Sequence, residues 1–369
     1  MPTPRGPWST HSLHRPRSRI VVVGIGARRL AASGARRTGE FRHLPKVDLH
    51  VHLEGSLSFS LLRRFARDQG RAGLRTHDLA FHDFDGFLRA FARVCTYLCR
   101  PVDFELAVQY LGRRLRRDGV IHAEVFFSPQ VHTRRGLEYA ELVKALERGA
   151  REVKAAGGPS LLFIADGVRQ WGVESFQVLL AEMERHPSPS VVGIGLGGVE
   201  DAIPSRAFAP AFAAARDGGL AAVVHAGETG PPAAVFEAVE LLGACRVGHG
   251  VAAAQDSELL RWLKRRKVTL DVCLTSNGRT GAWPAGRPHP LAGLVDAGVP
   301  VTLGSDDPAL FRTTLSREYA RAAATGLDDP ALRRIAGQAA RASLLPPRAR
   351  RRLQVTLEVA WRAWRPADG

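Results

Sequence analysis

From residue 45 onward the chain alternates between short, almost uniformly apolar runs and longer stretches in which apolar residues recur every three or four positions. The short runs have the length and β-branched content of strands buried on both faces. They predict eight strands, over 47–52, 120–127, 160–165, 191–196, 220–225, 246–249, 268–273 and 299–304. The longer stretches predict amphipathic helices. In 87–98, for example, Phe87, Leu88, Phe91, Val94, Cys95 and Leu98 share one side of a helix. The same period marks 139–155, 173–185, 206–216, 233–242 and 257–266.

Alternation of this kind implies a parallel sheet with helical crossovers, and eight strands imply closure into an α/β fold of the (β/α)8 TIM-barrel type. Residues 56–118 are too many for one crossover, so they predict a helical insertion after the first strand, placed to act as a lid over the C-terminal strand ends. A helical C-terminal tail from Ala331 to about Trp364 closes the chain, with Trp361 and Trp364 as packing anchors. A length of 369 residues would suit two or three average domains, yet barrels of this type form one unit. The expectation is therefore a single barrel domain over 43–369.

Residues 1–42 read differently. Pro, Gly, Ser and Arg dominate them, and up to residue 40 eight Arg face one acid, Glu40, supplying +7 of a net charge of +16. They predict a disordered basic extension, dispensable for chemistry, so that a chain starting near His43 keeps its activity. The alternative is that the apolar run 20–27 packs as a strand across the barrel floor. That run follows Arg15, Arg17 and Arg19 like a secretion signal, but it is short and lacks a small-residue cleavage pattern. No stretch approaches the length of a membrane span. The remaining positive charge is spread thinly, without the aromatic interleaving of a nucleic-acid surface, so no specific nucleic-acid partner is expected. Four cysteines with no CxxC pair fit a reducing cytoplasm. Oligomeric state is not legible.

Ionisable residues collect where the predicted strands end. The first strand closes on His50 and His52, two apart and so on one face of the strand. The fifth runs into His225-Ala226-Gly227-Glu228, the sixth ends at His249, and the eighth runs into Ser305-Asp306-Asp307-Pro308. The C-terminal ends of barrel strands are where such enzymes build active sites. Three imidazoles and a carboxylate, His50, His52, His225 and Asp306, suit Zn2+ and leave a position for water. Glu228 is then spare as a proton donor, His249 can orient or deprotonate the attacking water, and Asp307 can hydrogen-bond the substrate. His77, His82, His122, His132 and His289 have no convergent partners and read as structural or surface groups. Cys95 and Cys99, four apart on a predicted helix, read as core packing.

The segments 45–56 (PKVDLHVHLEGS), 225–228 (HAGE), 248–250 (GHG), 275–277 (TSN) and 305–308 (SDDP) together resemble the adenosine deaminase family of metal-dependent hydrolases, over about residues 43–345. The resemblance implies a zinc barrel, one Zn2+ per chain, that removes the 6-amino group of a purine as ammonia. It implies zinc on His50, His52, His225 and Asp306, protonation of ring N1 by Glu228, assistance to the water by His249 and pairing of Asp307 with N7. Gly198 matches the family glycine whose backbone N–H meets N3.

Substrate signals diverge. Glu54 stands where adenosine enzymes have an Asp that reaches the sugar, and Glu there resembles the adenine deaminases, as does Phe126 where adenosine enzymes have Arg. Gly198 instead resembles nucleoside deaminases, and Gly197-Gly198 with 305–319 resembles the aminodeoxyfutalosine deaminases. An adenosine-type nucleoside is the lead, with adenine and aminodeoxyfutalosine as alternatives. A non-catalytic barrel used as a binding module is disfavoured because every one of the polar groups named is present.

Overall fold

The computed structural model describes residues 38–365. Eight parallel strands run in sequence order around one sheet: β1 (Lys46–His52), β2 (Val120–Phe127), β3 (Ser160–Val168), β4 (Val191–Gly197), β5 (Ala221–Ala226), β6 (Arg246–His249), β7 (Thr269–Val272) and β8 (Val301–Leu303). Neighbours pair in parallel from β1 through β8, and one bridge between Val51 and Asp306 links the segment after β8 to β1. Helices fill every crossover; the periodicity predicts them in six of the seven, and the short helices Leu274–Thr280 and Leu291–Asp296 between β7 and β8 are not among them. Each strand is buried on both faces because helices cover the outside and side chains fill the inside.

The barrel interior changes character along its axis. Phe126, Ile164 and Val223 form a small apolar layer packed against Leu344. Toward the N-terminal strand ends lies a buried polar cluster, in which the Arg246 guanidinium donates to Glu124 Oε2 (2.5 Å), Asp271 Oδ2 (2.9 Å) and the Leu49 carbonyl (3.1 Å). The C-terminal tail caps this cluster, since the Ala342 carbonyl accepts from Arg246 and the Leu344 N–H donates to Glu124.

The insertion after β1 comprises the helices Phe59–Asp68, Phe84–Cys95 and Pro101–Arg117. Phe84–Cys95 lies over the C-terminal strand ends, where the lid was expected. It ends at Cys95, so Cys99 lies beyond it and is exposed, while Cys95 is buried. The tail is two helices, Asp329–Ala342 and Pro347–Ala363, because prolines at 346 and 347 suit a helix start and not a helix interior.

Folded chain begins earlier than the expected boundary at residue 43. Thr38–Arg42 is a helix, and Phe41 is fully buried against the rings of Tyr319, Trp361 and Trp364. Its aromatic area, not the polar residues around it, holds this turn in place. A chain starting at His43 forfeits that anchor, and Phe41→Ala should reproduce most of the loss, about 3–5 kcal/mol in denaturant unfolding. A loss below about 1 kcal/mol would mean the helix is dispensable. The run 20–27 lies outside the described residues. Among the described helices none is long and apolar enough to cross a membrane.

Candidate active site

His50 and His52 project from the end of β1 to the same side, and β5 brings His225 beside them, with 3.2 Å between the Nε2 atoms of His52 and His225. The segment after β8 folds onto β1: the His52 N–H donates to the Asp306 carbonyl and the Asp306 N–H to the His50 carbonyl, each at 2.8 Å. This clamp sets Asp306 Oδ1 3.6 Å from His52 Nε2 and 3.9 Å from His50 Nε2. His249, at the end of β6, has its Nε2 3.6 Å from Glu228 Oε2 and 3.8 Å from Asp306 Oδ2. Both His249 (φ +63°) and Asp306 (φ +59°) hold left-handed backbone, which turns their side chains into the site at roughly 1–2 kcal/mol each. Gly55 allows Asp307 to pack close, since a Cβ there would fall 1.5 Å from Asp307 Oδ1.

Burial decides the charge states. All four imidazoles are buried, and desolvation lowers their pKa values; for His50, His52 and His249 neighbouring imidazoles lower them further. His225 is brought down to about 4 by burial and then by the Arg169 charge. They are thus neutral, the form in which imidazole ligates a metal. The Glu228 carboxyl is held well above its usual range by burial, then by the charges of Asp306 and Glu200. Asp307 is raised by burial and by Asp306 beside it.

The donor set fits a metal ion. The ligand atoms of His50, His52 and His225 lie within 4.8 Å of one another. Nε2 of His50, 3.9 Å from Asp306 Oδ1, is buried with no hydrogen-bond partner. Orphaned polar atoms in a dry interior are costly unless a cation gathers their lone pairs. Zinc is the cofactor this nitrogen and oxygen set suits. Cys273 also lies near His50 and Asp306, which the sequence did not suggest, and burial raises its thiol well above the usual range. Elemental analysis should give about one zinc per chain for the parent protein and well below that for His225→Ala. Full retention would remove His225 from the ligand set.

Around these groups is a pocket. Phe84, Phe87, Leu88 and Phe91 of the insertion helix form one wall; Glu228, His249, Asp306, Asp307 and Gly198 line the other side, and no Lys or Arg takes part. Gly198 has φ +99°, and a Cβ there would meet Gln170 Oε1 at 2.2 Å. Two predicted site residues do not line the pocket: His50, packed against the rings of His225 and His249, and Glu54. The Glu54 carboxylate is wholly buried, where Oε1 accepts from the Ser128 N–H (2.8 Å) and lies 3.1 Å from His132 Nε2. His132 therefore has a partner after all, and the pair braces the rim at Ser128.

Two further acidic groups escaped the sequence reading. Glu200 accepts from three consecutive backbone N–H groups, Gly227 (2.7 Å), Glu228 (2.8 Å) and Thr229 (2.7 Å), and so fixes the turn that carries Glu228. Asp166 lies in β3, whose predicted end at residue 165 fell one short of it. Its Oδ1 is buried without a hydrogen-bond partner, 3.9 Å from His225 Nδ1. An acid inside an apolar run was the available signal.

Neutral imidazoles and carboxylates gathered at the C-terminal end of a (β/α)8 barrel define a metal-dependent hydrolase. The family model for adenosine deaminase matches residues 45–359, and the chain belongs to that family. It is thus a hydrolase acting on the C–N bond of an amidine. It is 37% identical to an aminodeoxyfutalosine deaminase of Acidothermus cellulolyticus, over 77% of this chain and 84% of the relative. It is 35% identical to an adenine deaminase of Chelativorans sp., over 85% and 98%. The crystal structure of an adenine deaminase from Arthrobacter aurescens superposes with a TM-score of 0.83 at 27% identity, covering 87% of this chain and all of that one.

Proposed function

We propose that the protein deaminates a 6-aminopurine hydrolytically and that its substrate carries an uncharged group on N9, as a nucleoside does. The observation that carries the chemistry is Glu228: a carboxyl held protonated by burial, facing a pocket beside a metal-ligand cluster. Bound at His50, His52, His225 and Asp306, zinc supplies a water acidic enough to be a nucleophile near neutral pH. Glu228 donates its proton to ring N1 as C6 is attacked, so that charge does not build on the purine. Asp307 and the Gly198 backbone orient the ring, at N7 and N3 respectively. The apolar wall from the insertion helix excludes water from the ring face.

The lining of the pocket supports an uncharged substituent: without Lys or Arg in the wall a phosphate would enter unpaired. Buried Glu54 with His132 favours a second reading, adenine itself, because this carboxylate holds the rim at Ser128 and is not free to meet a sugar. Ammonia release should be measured with adenosine, deoxyadenosine, aminodeoxyfutalosine, adenine and AMP. A kcat/KM for a nucleoside at least about tenfold above those for adenine and AMP supports the proposal. Highest turnover of adenine transfers the assignment to the second reading, and turnover of none of the five rejects both.

A further inference from the structure

The proton on the His249 ring can be located from hydrogen bonds that lead away from the site. A backbone N–H can only donate, and that of Leu291 reaches His289 Nδ1 at 3.2 Å. Nδ1 therefore accepts. Burial takes the His289 pKa down to about 4, so the ring is neutral and its single proton is on Nε2. His289 Nε2 lies 3.2 Å from Asn277 Oδ1 and donates to it. That contact fixes the orientation of the amide. Its other end, Nδ2, lies 3.1 Å from His249 Nδ1 and can only donate. His249 Nδ1 must accept, which leaves the proton of the neutral ring on Nε2.

We propose that Leu291 N–H, His289, Asn277 and His249 form a one-directional hydrogen-bond relay that holds His249 as the Nε2–H tautomer, a hydrogen-bond donor into the site and not a proton acceptor. His289 and Asn277 are then positioning residues. The inference rests on the deaminase reading for its catalytic meaning, and it narrows the two roles the sequence allowed for His249 to one, orienting the attacking oxygen. The N–H enters the space between Glu228 Oε2 and Asp306 Oδ2, where it favours negative charge developing on that oxygen. Proton acceptance then falls to a carboxylate: Asp306, or Glu228 once it has given its proton to N1.

Local folding explains why a histidine twelve residues away takes part. Asn277 is fully buried in the helix Leu274–Thr280 that follows β7. The chain then doubles back: the Trp283 N–H donates to the Asn277 carbonyl and Trp283 Nε1 to the Pro288 carbonyl, both at 2.9 Å. This returns His289 to the Asn277 amide. Without the turn the amide would have no ring on its far side and both orientations would be open.

Selective 15N labelling of histidine in the zinc-loaded full chain, with the His249 signals assigned by their loss in His249→Gln, reads the tautomer directly and needs no substrate. The parent should show the proton on Nε2. Asn277→Asp, nearly isosteric, replaces the donor with an acceptor and should move the proton to Nδ1, with zinc content and KM nearly unchanged and kcat lowered about 10²-fold or more. His289→Gln restores an N–H toward Asn277 and should keep both the Nε2–H signature and kcat within a few fold. His289→Leu, which cannot donate, should give a tautomer mixture. A proton on Nδ1 in the parent, or an unchanged tautomer in folded Asn277→Asp, overturns the relay. If Asn277→Asp does not fold, the parent and the two His289 variants still decide. A parent with the proton on Nε2 but no deaminase activity leaves the relay standing and rejects the functional reading instead.

Discussion

Glu228→Gln should bind substrate about as well as the parent and lose kcat by about 10²–10⁴-fold. The amide keeps the shape of the side chain and its place on the turn held by Glu200, whose bonds go to the backbone of residues 227–229. What it lacks is the acidic proton. In the parent that proton is retained to unusually high pH, because deprotonation would put a carboxylate among buried carboxylates. Loss of the proton matters only as C6 is attacked and N1 becomes basic, so the defect belongs in kcat and not in KM. The measurement is steady-state kinetics at matched zinc content. A variant within a few fold of the parent would show that another group protonates the ring.

A loss of stability as large as that of Phe41→Ala is expected at Arg246. Replacing it with Met leaves Glu124 and Asp271 buried without their common cation, and uncompensated buried charge of this kind costs about 3–5 kcal/mol. The pH dependence identifies the cause. In the parent, Arg246 contributes to lowering the Glu124 pKa, a stabilisation present at neutral pH and lost as pH falls through the folded value. In the variant both carboxyls should titrate above their unfolded values of about 4. The deficit is then full near pH 7 and shrinks as pH falls through the raised values, where protonation removes the buried charge. Denaturant unfolding at several pH values checks this, and a deficit independent of pH would assign the loss to packing alone.

Most of the barrel is legible in sequence because a strand buried on both faces must be nearly uniform in apolar character, and helices packed outside it must be amphipathic. The ligand set is legible for a related reason: ionisable side chains at the ends of apolar runs have few structural uses. What escaped depends on distant partners. Nothing local to Glu200 says that its carboxylate will collect three N–H groups from a turn on the next strand. Likewise Phe41 sits in an otherwise polar segment, and only the aromatic cluster of the C-terminal tail makes it core. His289 and His132 looked idle because their partners, Asn277 and Glu54, are separated from them by 12 and 78 residues.

The left-handed backbone of His249 and Asp306 bears on how this site withstands mutation. Glycine would occupy either position without the steric penalty of a Cβ, so the easiest drift at these positions leads toward a barrel that folds well and does no chemistry. A histidine and an aspartate standing where glycine would fit more comfortably mark a chain in which folding ease has been conceded to use. Gain of thermal stability in metal-free Asp306→Gly over the metal-free parent would measure that concession directly.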